Sequence, residues 1–239
     1  EGDLQSVVAG ERVWAFGGRA EAGNPFALDE GVLLAGDAGA EALEALPAPP
    51  TGRLYGGAFF ERAGAAFGQA CPDAPGGLWR TVTAPGNWQP GALASDGFLL
   101  AGSFPSVLRG CLVGARHRVV LLRRLAEPEA RPPAVASARA LRAAALADDG
   151  DCWIAGEDGT VLRGRLAGKE VARAPTPLTP RLPPAARRLA DFEALAVAPG
   201  EGGPRVWIAG GTVGAVLHTP DGGATWRALP APGPGAVHA

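Results

Sequence analysis

VWIAGGTVGAVLHTPDGGATWRALPAP, residues 206–232, reads as a β-strand, a second strand, a tight Asp- and Gly-rich turn, and a third strand opening on Trp226. Short apolar runs bounded by Gly and Asp are strand signals. Shorter echoes recur upstream. Val206-Trp207-Ile208-Ala209-Gly210-Gly211 returns as Val13-Trp14-Ala15-Phe16-Gly17-Gly18, as Cys152-Trp153-Ile154-Ala155-Gly156 and, more loosely, as Gly97-Phe98-Leu99-Leu100-Ala101-Gly102. Each is followed by an apolar run with a Val-Leu step, at Val32-Leu33, Val107-Leu108, Val161-Leu162 and Val216-Leu217. Further apolar runs precede several copies, at residues 4–9, 141–147 and 192–198. A last strand follows the turn as Trp226-Arg227-Ala228-Leu229-Pro230, Leu43-Glu44-Ala45-Leu46-Pro47 and Trp79-Arg80-Thr81-Val82.

Self-similarity in a constant order marks a repeat architecture, and four antiparallel strands per repeat make a propeller blade. The chain is therefore expected to be all-β, a single β-propeller domain of five four-stranded antiparallel blades, at about 3–50, 51–86, 87–130, 137–176 and 186–233. The alternative is a fragment of a six- or seven-bladed propeller. Blade two is thin, with clear strands only at 54–60, 65–70 and 79–82. Because the first blade opens on its own first strand and the last ends on its own fourth, closure is expected to set residues 4–9 beside 192–198 at a central channel.

The turn in the last blade, Thr219-Pro220-Asp221-Gly222-Gly223-Ala224-Thr225-Trp226, matches Ser/Thr-x-Asp-x-Gly-x-Thr-Trp, the Asp-box pattern of bacterial neuraminidase repeats. A short carboxylate can accept backbone N–H groups within its own turn, Gly takes positive φ without a Cβ penalty, and Trp covers the adjoining apolar layer. Residues 71–79, with Asp73, Gly77 and Trp79, read as a decayed copy with one extra residue, and Gly36-Asp37-Ala38-Gly39 as a more decayed one. By this turn and its flanks the chain resembles the non-catalytic Asp-box propellers related to the photosystem II assembly and stability factors. The pattern covers most of the chain, strictly only its last 30 or so residues. The resemblance implies that Thr219, Asp221, Gly223, Thr225 and Trp226, with Asp73, Gly77 and Trp79, are structural turn residues on a rim away from the ligand face. It also implies an exported protein.

A net charge of −2 gives no reason to expect a nucleic-acid partner. No apolar run reaches the length of a membrane span. The 239 residues include no Met, which points to a trimmed chain. The expected location is extracytoplasmic, periplasmic or secreted, with a signal peptide removed; a cytoplasmic fragment is the alternative. Cys71, Cys111 and Cys152 allow one disulfide and a free thiol, or buried free cysteines. With no Cys-x-x-Cys pair or His cluster, neither metal nor cofactor is expected.

A sialidase would need an arginine triad, a Tyr nucleophile with a Glu partner and an opening Arg-Ile-Pro motif. That motif is absent, and the single Tyr, Tyr55, reads as a half-buried strand aromatic. A glycosidase of another kind needs only two opposed carboxylates, for which Asp148, Asp149, Asp151, Glu157, Asp158, Asp191 and Glu193 are available. Most belong to turns, Asp149-Gly150 and Asp158-Gly159 being hairpin signals. No nucleophile elbow, zincin helix or phosphate loop occurs.

Basic residues cluster at Arg116, His117 and Arg118, then at Arg123 and Arg124. Arg109, Arg163 and Arg165 are expected on equivalent third strands of neighbouring blades, an arginine stripe that could face a partner; the alternative is a solvated face with cross-strand ion pairs. Pro-rich loops at 127–133 and 174–187, and an irregular stretch at 19–30, offer further partner surface. The expected function is a non-enzymatic scaffold, assembly or protein-interaction propeller with an unidentified protein partner. A propeller binding a glycan or small ligand, or a divergent glycosidase, is the alternative.

Overall fold

A computed structural model of the chain describes residues 2–19, 30–61, 63–69, 77–81, 86–90, 99–106, 109–115, 119–122, 139–147, 149–167, 170–178, 191–211 and 214–230. Among these residues all regular structure is β. They form antiparallel sheets whose strands follow one another in space as in sequence. Sheet one holds β1 (Gly2–Ala9), β2 (Arg12–Arg19), β3 (Glu30–Asp37) and β4 (Glu44–Leu46), and sheet two holds β5 (Leu54–Phe60), β6 (Ala63–Gly68), β7 (Leu78–Thr81) and β8 (Gln89–Pro90). Sheet three, three-stranded among the described residues, has β9 (Leu99–Ser106), β10 (Arg109–Gly114) and β11 (Val119–Leu122). Sheet four consists of β12 (Leu141–Leu146), β13 (Asp151–Gly156), β14 (Val161–Ala167) and β15 (Glu170–Pro177); sheet five of β16 (Phe192–Ala198), β17 (Arg205–Gly210), β18 (Ala215–Thr219) and β19 (Arg227–Leu229). The chain divides into two compact units, Glu1–Gly110 with Leu122–Ala130, and Cys111–Leu121 with Arg131–Ala239.

One local device recurs where the first strand of a sheet meets the second. Leu4 pairs with Gly17, Leu54 with Gly68, Leu141 with Gly156 and Phe192 with Gly210, and each pair is followed by a register shift. A bulge of this kind bends and twists the strand. It also brings the first strand's backbone onto the glycine. A Cβ on Gly156 would stand 2.3 Å from the Ala140 carbonyl oxygen, and one on Gly68 2.1 Å from that of Arg53. Glycine is required there by the close approach of backbone to backbone.

The second and third sheets differ from the sequence reading. Sheet two is complete: its fourth strand is the short Gln89–Pro90, paired with Trp79 and Arg80, residues first assigned to the third blade. Pro is tolerated there because β8 is an edge strand. The strand carrying Trp79 is thus the third of its sheet, so the turn before it does not correspond to the turn before Trp226. In sheet three β9 is an edge strand packed beside β5, as β16 packs beside β12. The segment Leu99–Ser106 is accordingly a first strand, and the true echo of Trp207's strand is β10, ending at Gly114. Composition misled here because two apolar runs ending in glycine, one at 102 and one at 114, compete for the same match. Ala174–Pro177, expected in a loop, complete β15, again at an edge.

Within the first unit Trp14, Phe16, Leu33 and Ala35 of sheet one pack against Leu54 and Ala66 of sheet two, and Trp14 stacks on Phe59 at 3.8 Å between ring centroids. Within the second unit Trp153, Ala155, Val161 and Leu178 of sheet four meet Phe192, Val206, Ile208, Leu217 and Trp226. Cys111 and Cys152 form a disulfide joining β10 to β13. Cys71 and the irregular stretch 20–29 lie outside the described residues. No helix among those described is long and apolar enough to cross a membrane.

Candidate functional site

The turn between β18 and β19 is built from its own side chains. Asp221 Oδ1 accepts the Thr225 backbone N–H at 2.9 Å and the Thr219 hydroxyl at 2.8 Å, while Oδ2 accepts the Thr225 hydroxyl at 2.6 Å. Thr219 Oγ1 in turn accepts the Gly223 N–H at 2.8 Å. The Thr225 hydroxyl, then the Thr225 N–H, hold the Asp221 carboxyl down to about 2. Gly222 and Gly223 have φ of 65° and 88°, the left-handed region that favours glycine. Trp226 then enters the core beside Trp153 and Phe192. A carboxylate so engaged is a poor proton donor near neutrality and is poorly placed to meet a substrate.

The turn also docks on sheet four. Arg163 donates from Nη1 to the Gly222 carbonyl at 2.8 Å and from Nε to Asp151 Oδ2 at 2.9 Å, with Nη2 on the same carboxylate oxygen. Its guanidinium lies 4.9 Å from the Trp153 ring centroid, a cation–π geometry. Asp151 is buried, its side chain 3% exposed, so Arg163 neutralises a carboxylate that could not otherwise stay charged there. Sequence reading proposed Arg163 as a partner contact and missed Asp151 as its counter-ion. Their separation carries no signal, since only the β13–β14 register brings them together.

Arg165, on the same strand, is 3.9 Å from Asp151 and half exposed. Arg109 lies on β10, a second strand, whereas Arg163 and Arg165 lie on β14, a third strand. The expected stripe of equivalent third-strand arginines is therefore not formed. Arg116, Arg118 and Asp73 lie outside the described residues. Gly77 has φ of 58° and Trp79 is buried on β7, but β7 is a third strand, so the two do not stand where Gly223 and Trp226 stand.

The carboxylates weighed for hydrolysis are held by the fold. Asp149 Oδ1 accepts the Asp151 N–H at 2.9 Å, and Asp191 Oδ1 the Asp158 N–H at 3.0 Å. Glu157 takes the Ala140 N–H at 3.0 Å and the Arg142 guanidinium at 2.8 Å, and both contacts lower its pKa, the backbone one most. Asp158 pairs with Arg139. Asp148 lies outside the described residues, among which no cluster of three His, Cys, Asp or Glu could hold a metal.

No family model matches the sequence, and none of the curated proteins does. Solved structures match well in fold. YCF48 bound to a D1 peptide superposes with a TM-score of 0.59 over 95% of this chain and 66% of its own, at 20% identity. YCF48 from Cyanidioschyzon merolae gives 0.58 over 93% and 70%, at 15% identity. The chain thus spans about two thirds of the length of these proteins. The fold is an all-β propeller, that of YCF48, a photosystem II assembly factor. The resemblance drawn from the last repeat is met at the level of fold.

Proposed function

We propose that the chain is a non-enzymatic propeller that presents a surface to a protein partner, with residues 219–226 serving as a structural Asp box. The observation that carries this reading is the match over 95% of the chain to a propeller seen with a peptide bound. The engaged carboxylates support it, because Asp149, Asp151, Glu157, Asp158 and Asp191 each already serve a turn or an ion pair. Arg109 and Arg165, with Arg116 and Arg118, are the cations assigned to the partner surface, whereas Arg163 is assigned to the internal pair. An extracytoplasmic site is part of the same proposal and is supported by the Cys111–Cys152 disulfide, a bond that persists in oxidising compartments.

Selection of a displayed random-peptide library on the purified chain tests the role, run beside a glycan array and a panel of chromogenic glycosides. Enrichment of a peptide that binds saturably, and more weakly to an Arg165→Glu chain, is the expected result. Glycoside turnover, or glycan binding with no peptide enrichment, would overturn it.

A further inference from the structure

The packing of one sheet on the next repeats a single relation, and the first and last sheets each expose half of it. In sheets one and four the Trp three positions before the second-strand glycine, Trp14 or Trp153, is buried against the first strand of the following sheet, on Phe59 or Phe192. On the receiving side, the apolar residue opposite the next sheet's glycine is fully buried, as Leu54, Leu141 and Phe192 all are. Trp207 holds the same register position in sheet five yet is only half-buried, and Leu229 on its face is 37% exposed. Leu4 holds the receiving position in sheet one, and it is 51% exposed, with Val7 at 59%.

The charges follow the same logic. In sheet four, Arg163 stands across from Trp153, pairs with Asp151 of its own sheet, and reaches the third-to-fourth turn of the next sheet at Gly222. In sheet five, His218 stands across from Trp207, its ring stacked at 4.9 Å. Arg205 takes the position of Asp151 and lies 5.8 Å from the Trp207 ring centroid. Two cationic side chains thus replace an ion pair, and His218 Nε2 is buried without a hydrogen-bond partner. The matching turn of sheet one and the strand after it present exposed Asp37, Glu41 and Glu44. Sheet five supplies the aromatic and basic half of an inter-sheet contact, and sheet one the aliphatic and acidic half.

We propose that the outward face of sheet five, centred on Trp207 and His218, docks head to tail on sheet one of a second copy of this chain, along Leu4 and Val7. A second copy is the partner that fits, because the chain carries both halves and the packing of sheet five on sheet four is the template. Such a contact is heterologous: each copy has one half still to offer, so assembly proceeds until a ring closes.

Analytical ultracentrifugation of the 239-residue chain over a wide concentration series is the test. It is run with a head variant, Leu4→Asp with Val7→Asp, and a tail variant, Arg205→Glu with Arg227→Glu, each checked by circular dichroism. Trp207→Asp serves as a second tail variant. The wild type should gain mass with concentration and each variant alone should stay monomeric. An equimolar mixture of head and tail variants should form a one-to-one pair, since one intact half of each kind remains. A wild type monomeric throughout overturns the proposal, whether sheet one of the same chain or another protein covers the face. Tail variants that associate as the wild type does, or folded variants whose mixture stays monomeric, overturn it equally.

Discussion

Asp221 and Arg163 meet in the same turn but were differently readable. All the partners of Asp221 lie within four residues of it, so the turn pattern alone reveals them. Asp221→Ala should lower the melting temperature by leaving the Thr225 N–H and two hydroxyls to water. Trp226→Ala removes a ring only 9% exposed, and should cost more, about 3–5 kcal/mol in denaturant unfolding. Because the folded-state pKa of Asp221 is depressed from 3.8 to about 2, its contribution is full above about pH 4 and disappears as pH falls toward 2. An Asp221→Asn chain should therefore lose less stability than the wild type across that window in acid melts. Arg163→Ala leaves Asp151 buried and uncompensated, and should cost about 3–5 kcal/mol. Arg165→Ala, on a half-exposed side chain, should cost less than about 1 kcal/mol. Partner binding lost in Arg163→Ala at unchanged stability would assign that residue to the partner surface instead.

Each first-to-second strand junction is held by a glycine facing a bulged partner. Gly156→Ala would drive a methyl to 2.3 Å from the Ala140 carbonyl oxygen, and the backbone shift needed should cost about 1–3 kcal/mol. Gly202→Ala, with nothing within 4 Å of the added carbon, should melt near the wild type. Equal losses in the two variants would mean that glycine serves only backbone freedom at 156. The same device explains where sequence reading slipped. Trp79 and the run before Gly102 resemble the repeat in composition, yet strand identity is set by which backbone pairs with which. By that measure β7 is a third strand and β9 a first strand.

The disulfide ties sheets that local sequence does not connect. Cys111 and Cys152 close a loop with a sequence separation of 41, and restricting the unfolded chain by that much is worth about 4 kcal/mol in the chain-entropy account. The Cys111→Ala, Cys152→Ala double variant should unfold at lower denaturant. Reductant should destabilise the wild type but not that variant. Reductant sensitivity persisting in the double variant would place the relevant bond elsewhere.

The residues by themselves determined that the chain is a repeat of small antiparallel sheets and that Asp221 serves its own turn. Both follow from interactions spanning a few positions, which leave a pattern in order and spacing. The pairing of Cys111 with Cys152, of Arg163 with Asp151, the fourth strand at Gln89–Pro90 and the exposure of Leu4 and Trp207 were settled by the folded chain. Each depends on register or on packing between sheets, where a residue's neighbours come from distant segments, and no local spacing records which of several similar strands will meet.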